Sequence, residues 1–155
     1  MAKPLSVPFH PQIENGYCLA ACVQMVMAFY GEAFSQRYWA RKLDIRPGLG
    51  APAPNIKNLA SDKVQVEYGE GTQHQFEQWL NLQVPVIVFI QAGDLPHWHR
   101  EFFQHAVVVT GIMENDVFIM DPALNDGPSV VSQEAFLLAW SGMDYLYAVL
   151  KFSRA

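Results

Sequence analysis

The hydrophobic pattern of this 155-residue chain changes along its length, and that change limits the folds open to it. Residues 18–30 place apolar side chains at helical spacing, and Gly31 follows as a natural helix stop. Ser35 is positioned to cap a second helix that runs to about Leu43. Later segments are rich in β-branched and aromatic residues, which is typical of strands. The sequence therefore predicts an α+β fold, with an N-terminal helical half packed on a mostly antiparallel sheet.

Local signals place the remaining elements. Thr72 and Gln75 form a capping-box pattern, Ser132 is a candidate cap for the last helix, and residues 114–116 have the composition of a hairpin turn. The other predicted helices cover 54–61, 72–82 and 132–140, and the predicted strands cover 64–68, 84–90, 105–112, 117–120 and 145–152. The length is that of one domain, so we expect residues 1–155 to form a single one.

Composition and charge exclude several kinds of partner. The net charge is −5 and no stretch is rich in Lys or Arg, so a nucleic-acid surface is not expected. No apolar run approaches the roughly 18–20 residues of a membrane span, and the first residues lack the apolar core of a signal peptide. Cys18 and Cys22 lie one helical turn apart, which fits a reducing compartment at least as well as a disulfide. We therefore expect a cytoplasmic protein, or a cytoplasmic domain of a larger one.

Four residues in a fixed order have the chemistry of a thiol acyl-transfer site. Cys18 stands where the first helix begins, and the helix N-terminus favours its thiolate. His105 opens a predicted strand and is a candidate general base and acid for that thiol. Asp121 closes the next strand and could orient the imidazole. Gln12 lies six residues before Cys18, and its side-chain amide could donate a hydrogen bond to a developing oxyanion.

Each of these residues also has an ordinary structural explanation. A histidine before a run of valines is usually structural, and Asp-Pro after a strand is usually a turn. Cys22 is best interpreted as a small buried hydrophobe. A hairpin centred near Asn115 leaves Asp121 short of the position opposite His105, so a bulge or a diagonal contact is needed to join them.

The spacing of these motifs resembles that of papain-like cysteine peptidases of the bacteriocin-processing, or double-glycine leader, type. The resemblance rests on Gln12-x5-Cys18-x2-Ala21-Cys22, on His105-Ala-Val-Val-Val-Thr-Gly and on Asp121-Pro122, and it extends from about residue 7 to residue 152. It implies a papain-like fold and a peptidase without a cofactor that cleaves a peptide or protein substrate. Cys18 would be the nucleophile, His105 the general base and acid, Asp121 the orienting carboxylate and Gln12 the oxyanion donor.

Two residues beside Cys18 depart from that family's usual Asp-Cys-Gly. Tyr17 replaces the acidic residue, and Leu19 replaces a glycine where the substrate backbone passes close to the helix start. We expect Leu19 to narrow or reshape the cleft. Two other functions therefore stay open: a non-catalytic domain that binds an extended peptide, and an acyltransferase in which an amine replaces water at the same thioester.

One further motif, His97-Trp98-His99, has two interpretations. Alternate residues of an extended segment point to the same side, so the two histidines could be ligands of a zinc ion. No third ligand is evident nearby. The preferred interpretation is a polar, aromatic loop beside the cleft, and no metal is predicted.

Overall fold

The computed structural model describes residues 3–98 and 103–153, and within them it contains four α-helices and six strands. The helices are α1 (Cys18–Phe29), α2 (Gln36–Lys42), α3 (Gln73–Asn81) and α4 (Gln133–Ser141). The strands are β1 (Val64–Glu70), β2 (Val86–Gln91), β3 (Gln104–Met113), β4 (Asp116–Met120), β5 (Ser129–Ser132) and β6 (Leu146–Phe152). Shorter 3₁₀ helices cover Ala53–Leu59, Ala92–Asp94 and Pro96–Trp98. The predicted α+β class is confirmed.

The six strands form one sheet in the order β1-β6-β2-β3-β4-β5, and every neighbouring pair is antiparallel. Residues 86–90 of β2 are all buried rather than alternately buried and exposed, so both faces of the sheet are covered at its centre. Helix α1 packs against β3, and α4 packs against β2. An aromatic cluster joins α3, α4 and β6; its members are Phe76, Phe136, Trp140 and Tyr147.

The predicted helix caps are present. The Ser35 hydroxyl accepts a hydrogen bond from the backbone N–H of Tyr38, and the Ser132 hydroxyl caps α4 in the same way. Thr72 and Gln75 form both hydrogen bonds of a capping box at the start of α3. These short-range bonds satisfy backbone donors that the first helical turn leaves unpaired, which is why local sequence was enough to predict them.

Two elements differ from the prediction. The helix expected over 54–61 is a 3₁₀ helix over Ala53–Leu59, and strand β5 was not predicted at all. Strand β5 is only four residues long and pairs with β4 alone, at the edge of the sheet. So short a segment carries too few alternations for its sequence to indicate a strand.

Strand β3 contains a one-residue bulge where it pairs with β4. Gly111 lies opposite Phe118, but Val109 lies opposite Ile119, so Thr110 is the extra residue. The Thr110 carbonyl accepts a hydrogen bond from the backbone N–H of Leu5, at 2.8 Å. The N-terminal segment therefore fastens the bulge from outside the hairpin.

The segment that precedes α1 is fastened by the buried side chain of Gln36. Its Oε1 accepts a hydrogen bond from the Ile13 backbone N–H at 2.9 Å, and its Nε2 donates to the Pro11 carbonyl at 3.0 Å. The same Nε2 donates to Oε1 of Gln24 on α1, at 2.9 Å. One side chain of α2 thus holds the backbone on both sides of Gln12.

Replacing Gly111 by alanine should destabilise the protein by about 1–3 kcal/mol, as expected for overpacking. A Cβ at this position would lie 2.9 Å from the Pro4 Cα, so the N-terminal segment would have to move. Urea unfolding measures the effect, and Gly69→Ala in β1 is the control because a Cβ there meets no atom within 4 Å. Equal stabilities of the two variants would contradict the close packing at Gly111.

Replacing Gln36 by leucine should lower the free energy of unfolding by about 1–3 kcal/mol, because it leaves the Pro11 carbonyl and the Ile13 N–H without their partner. The neighbouring variant Arg37→Ala is the control in the same urea titration. Arg37 forms an exposed ion pair with Glu14, at 3.7 Å, so its loss should change stability by less than about 0.5 kcal/mol. A Gln36→Leu protein as stable as Arg37→Ala would show that the Gln36 bonds are dispensable.

Candidate active site

Cys18 is the first residue of α1, and no side chain caps that helix at its N-cap residue, Tyr17. The first-turn N–H groups and the positive end of the helix dipole are therefore directed at the Cys18 region. Backbone N–H groups of Leu19, on its own helix, and of Ala106, on β3, lie close enough to the thiol to lower its pKa. Both contacts favour the thiolate, since a backbone N–H can only donate.

His105 reaches Asp121 because of the bulge in β3. Beyond the bulge Met120 pairs with Val108, and continuing that register places Asp121 opposite Val107. Side chains two residues apart on a strand share a face, so Val107 and His105 point to the same side. Without the extra residue Asp121 would lie opposite Val108, on the other face. The observed distance from His105 Nε2 to Asp121 Oδ1 is 2.6 Å.

The direction of this hydrogen bond fixes the tautomer of His105. An ionised carboxylate can only accept, so Nε2 of His105 carries the proton that is donated to Asp121. In the neutral imidazole the other nitrogen, Nδ1, is then an acceptor. The Cys18 thiol and the His105 ring line the same two cavities and shift each other's pKa, and Nδ1 is the nitrogen left to face the thiol. The three side chains therefore follow one another in the order Cys18, His105, Asp121.

The electrostatics favour charged forms of all three groups. Burial raises the pKa of the Cys18 thiol, but the hydrogen bond and positive charge of His105 and the backbone hydrogen bonds bring it below its ordinary value. Burial lowers the pKa of His105, yet its hydrogen bonds to Asp121 and Cys18 and their negative charges raise it to about 9. Burial raises the pKa of the Asp121 carboxyl, and the hydrogen bond and charge of His105, with bonds from His97 and the Ala123 N–H, lower it to about 2.

Cys22 provides the contrast, one turn further along α1. It is fully buried, and burial, followed by the negative charges of Cys18 and Asp121, raises the pKa of its thiol well above the ordinary value. The prediction that Cys22 belongs to the core is confirmed. Both cysteines are free thiols in the structure.

Gln12 lies in the same cleft as Cys18, on the loop before α1. Its backbone N–H donates to the Pro122 carbonyl at 2.8 Å, which ties this loop to the residue that follows Asp121. Its side-chain Oε1 is buried and, among the described residues, has no hydrogen-bond partner. The loop is therefore held by three hydrogen bonds, at residues 11, 12 and 13. The Gln12 Oε1 atom within it forms no hydrogen bond to the described residues.

Two cavities meet at the thiol and share the residues Cys18, Gln104 and His105. The larger has a volume of about 440 Å³, and its remaining described lining residues are Gln12, Asn15, Gly16, Trp98, Phe103 and Ala123. The smaller has a volume of about 100 Å³, and its remaining lining residues are Leu19, Ala51, Pro52, Ala53, Phe89, Ala106 and Met143. One side of the thiol is thus roomy and partly polar, and the other is narrow and apolar.

The loop that walls the small cavity is packed tightly onto the helix start. Gly16 has a φ of +87°, and a Cβ there would lie 2.8 Å from the Gly50 nitrogen. The backbone N–H of Gly48 donates to the Asn15 carbonyl at 3.2 Å. These contacts position the following residues, 51–53, in the wall of the small cavity beside the Cys18 thiol.

The structure brings all four predicted site residues together, and it adds neighbours that the sequence did not reveal. His97 and Trp98 contact Asp121, and Gln36 holds the Gln12 loop. Trp98 also lines the larger cavity, so this part of the motif lies beside the cleft, as its preferred interpretation expected, whereas His99 is outside the described residues. Among residues 3–98 and 103–153, no group of His, Cys, Asp or Glu side chains has a metal-binding arrangement.

The fold is that of solved peptidases. The structure of a putative C39-like peptidase from Bacillus anthracis aligns with 100% of this chain and over 100% of its own length, with a TM-score of 0.76 and 17% identity. A double-glycine-motif protease from an AMS/PCAT transporter, solved with the leader peptide, has a TM-score of 0.76 and 19% identity over 99% of this chain and 96% of its own.

A third structure is the peptidase domain of Streptococcus ComA, a bifunctional ABC transporter of a quorum-sensing pathway. It has a TM-score of 0.75 and 25% identity, over 93% of this chain and 97% of its own.

No curated protein sequence gives a significant match. None of the helices in the described ranges is long and apolar enough to span a membrane. The sequence model of the peptidase C39 family matches residues 6–148, which is most of the chain. The chain belongs to the peptidase C39 family.

Proposed function

We propose that this chain is a cysteine peptidase that cleaves a peptide bond through an acyl-enzyme on Cys18. The observation that carries the proposal is the arrangement of three groups: the Cys18 thiol and the His105 ring line the same two cavities, and His105 Nε2 lies 2.6 Å from the buried carboxylate of Asp121. A nucleophile, a base within hydrogen-bonding reach and a group that orients the base are the parts that nucleophilic catalysis requires.

Each group has one task in the reaction. Nδ1 of His105 takes the thiol proton, and the Cys18 sulfur attacks the substrate carbonyl carbon. The Gln12 side-chain amide and the Cys18 backbone N–H donate to the oxygen that becomes negative. His105 then gives its proton to the departing amine, which leaves a thioester. Water, deprotonated by His105, attacks that thioester and restores the thiol, while Asp121 stays ionised throughout.

The two cavities that meet at the thiol support a peptide as the substrate. An extended chain can lie across Cys18 with one side in the small apolar cavity and the other in the larger, partly polar one. Neither cavity has a Lys, Arg, Asp or Glu side chain among its described lining residues, so charged residues next to the cleaved bond are disfavoured. One relative is a double-glycine-motif protease, and we propose that a peptide with small residues at the cleaved bond is the substrate here as well.

Iodoacetamide should alkylate Cys18 at neutral pH and leave Cys22 almost unmodified. The pKa of Cys18 is lowered and that of Cys22 is raised, so the thiolate fraction near pH 7 is larger for Cys18 than for Cys22. Mass spectrometry of the two peptides across a pH series gives both rates. Burial is the largest influence on the Cys18 pKa and raises it, and His105 opposes that effect. His105→Gln should therefore raise the Cys18 pKa, move the half-maximal pH of alkylation upward and slow alkylation at pH 7 by roughly tenfold or more.

The internal control is Cys22, which must stay slow in every variant as long as the protein is folded. A Cys18 that reacts no faster than a model thiol at pH 7, and does so independently of His105, would sink the catalytic proposal. The protein would then be a peptide-binding domain that keeps the fold without the chemistry.

Turnover should depend unequally on Cys18, Gln12, Asp121 and Cys22. On a synthetic peptide library that includes Gly-Gly sequences, Cys18→Ala should abolish cleavage, whereas Gln12→Ala should lower kcat by about 10²–10³-fold, the usual loss for one oxyanion donor. Asp121→Ala should also leave measurable cleavage, and Cys22→Ala should keep most of the activity. Liquid chromatography of the products measures all four. Products joined to an added amine, in place of free acids, would instead identify an acyltransferase.

A further inference from the structure

The carboxylate of Asp121 is held by four donors, two on each oxygen. Oδ1 accepts from His105 Nε2 at 2.6 Å and from the Ala123 backbone N–H at 3.0 Å. Oδ2 accepts from His97 Nε2 at 2.9 Å and from Trp98 Nε1 at 3.0 Å. The mechanism uses only the first of these bonds, so the pair on Oδ2 needs a separate explanation.

Two donors on the far oxygen fix the plane of the carboxylate. A side chain held at one oxygen alone can turn about its last torsion, because that torsion is broad in aspartate. Asp121 is completely buried, so a carboxylate that turned away from these donors would lose hydrogen bonds that no water replaces. His97 and Trp98 therefore favour the single orientation in which Oδ1 points at His105.

Trp98 also encloses the His105 ring. Its ring lies edge-on to His105 at 5.9 Å and to Phe103 at 4.9 Å, and Phe103 lies 5.3 Å from His105. Trp98 lines the larger cavity together with Cys18. The indole thus lies against His105 at the cavity, and the apolar surface that it adds there lowers the local dielectric, which strengthens the His105–Asp121 bond.

The segment that carries both residues is itself anchored. Leu95, just before the 3₁₀ turn at 96–98, is 1% exposed, and its carbonyl accepts the Trp98 backbone N–H at 3.1 Å. The Ala92 N–H donates to the Phe103 carbonyl at 2.9 Å, which ties the segment to the start of β3. The two donors therefore approach Asp121 from a supported turn.

We propose that His97 and Trp98 are positioning residues of the active site, which act through Asp121 by holding its carboxylate in the orientation that accepts the hydrogen bond from His105. This inference rests on the proposed function. It assigns to His97 an N–H donor role toward a carboxylate, and to Trp98 a donor role and a shielding role.

The test is a double-mutant cycle read by the rate of Cys18 alkylation with iodoacetamide at pH 7. Trp98→Phe removes the indole N–H and keeps an aromatic ring, and it should slow alkylation by about tenfold, as expected for the loss of one hydrogen bond to a charged group. In an Asp121→Asn background the same change should alter the rate by less than about twofold, because the carboxylate it acts on is gone.

Two further pairs make the outcome specific. Trp39→Phe is the matched control, since the buried Trp39 Nε1 has no partner among the described residues, and it should leave the rate unchanged. His97→Ala should slow alkylation, whereas His97→Gln should restore much of the rate because its amide can donate where the imidazole did. Thermal unfolding of each variant checks that the protein is folded at the assay temperature.

The possible results separate this inference from the proposed function. A Trp98→Phe rate equal to that of the unaltered protein, or an equal loss in both backgrounds, would overturn the positioning role. Failure of His97→Gln to exceed His97→Ala would overturn the donor role of His97. A Cys18 that is unreactive in the unaltered protein would instead refute the proposed function.

Discussion

The one-residue bulge in β3 is the constraint on which the site depends. Side chains alternate across a sheet, so a shift of one residue decides whether Asp121 is on the face of His105 or on the opposite face. The bulge is secured from outside the hairpin, by the bond from Leu5 to the Thr110 carbonyl and by the contact of Pro4 with Gly111. A segment about a hundred residues earlier in the chain thus helps to set the geometry of the His–Asp pair.

Charge is distributed across the site in a way that offsets the cost of burying it. A lone ionised carboxylate in the interior is costly, but Asp121 accepts four hydrogen bonds, one of them from a histidine whose pKa is raised to about 9. The imidazolium then lies between the carboxylate and the Cys18 thiol, so one positive charge favours the ionised form of both groups. For Cys22, on the same helix, burial and the negative charges of Cys18 and Asp121 raise the pKa of the thiol instead.

Sequence reasoning worked where the signal was local and failed where it depended on tertiary contacts. The caps at Ser35, Thr72 and Ser132 and the extents of α1 and β3 follow from residues within a few positions of one another. The need for a bulge or a diagonal contact was also foreseeable, from hairpin register alone, although not the position of the bulge. Gln36 and the contacts of His97–Trp98 were not foreseeable in this way. Their partners lie 23–25 residues away in the chain, and only the folded structure defines those contacts.

The two residues that depart from the family's usual Asp-Cys-Gly act on packing rather than on the reacting atoms. Tyr17 and Leu19 are 6% and 4% exposed, so both belong mainly to the core. Leu19 nevertheless lines the 100 Å³ cavity. It is not among the described residues that line the 440 Å³ cavity on the other side of Cys18. The expected narrowing is therefore confined to one side of the thiol. A substrate chain would have to present small side chains on that side, whereas the other side leaves room for larger ones, so Leu19 would affect selectivity without displacing Cys18, His105 or Asp121.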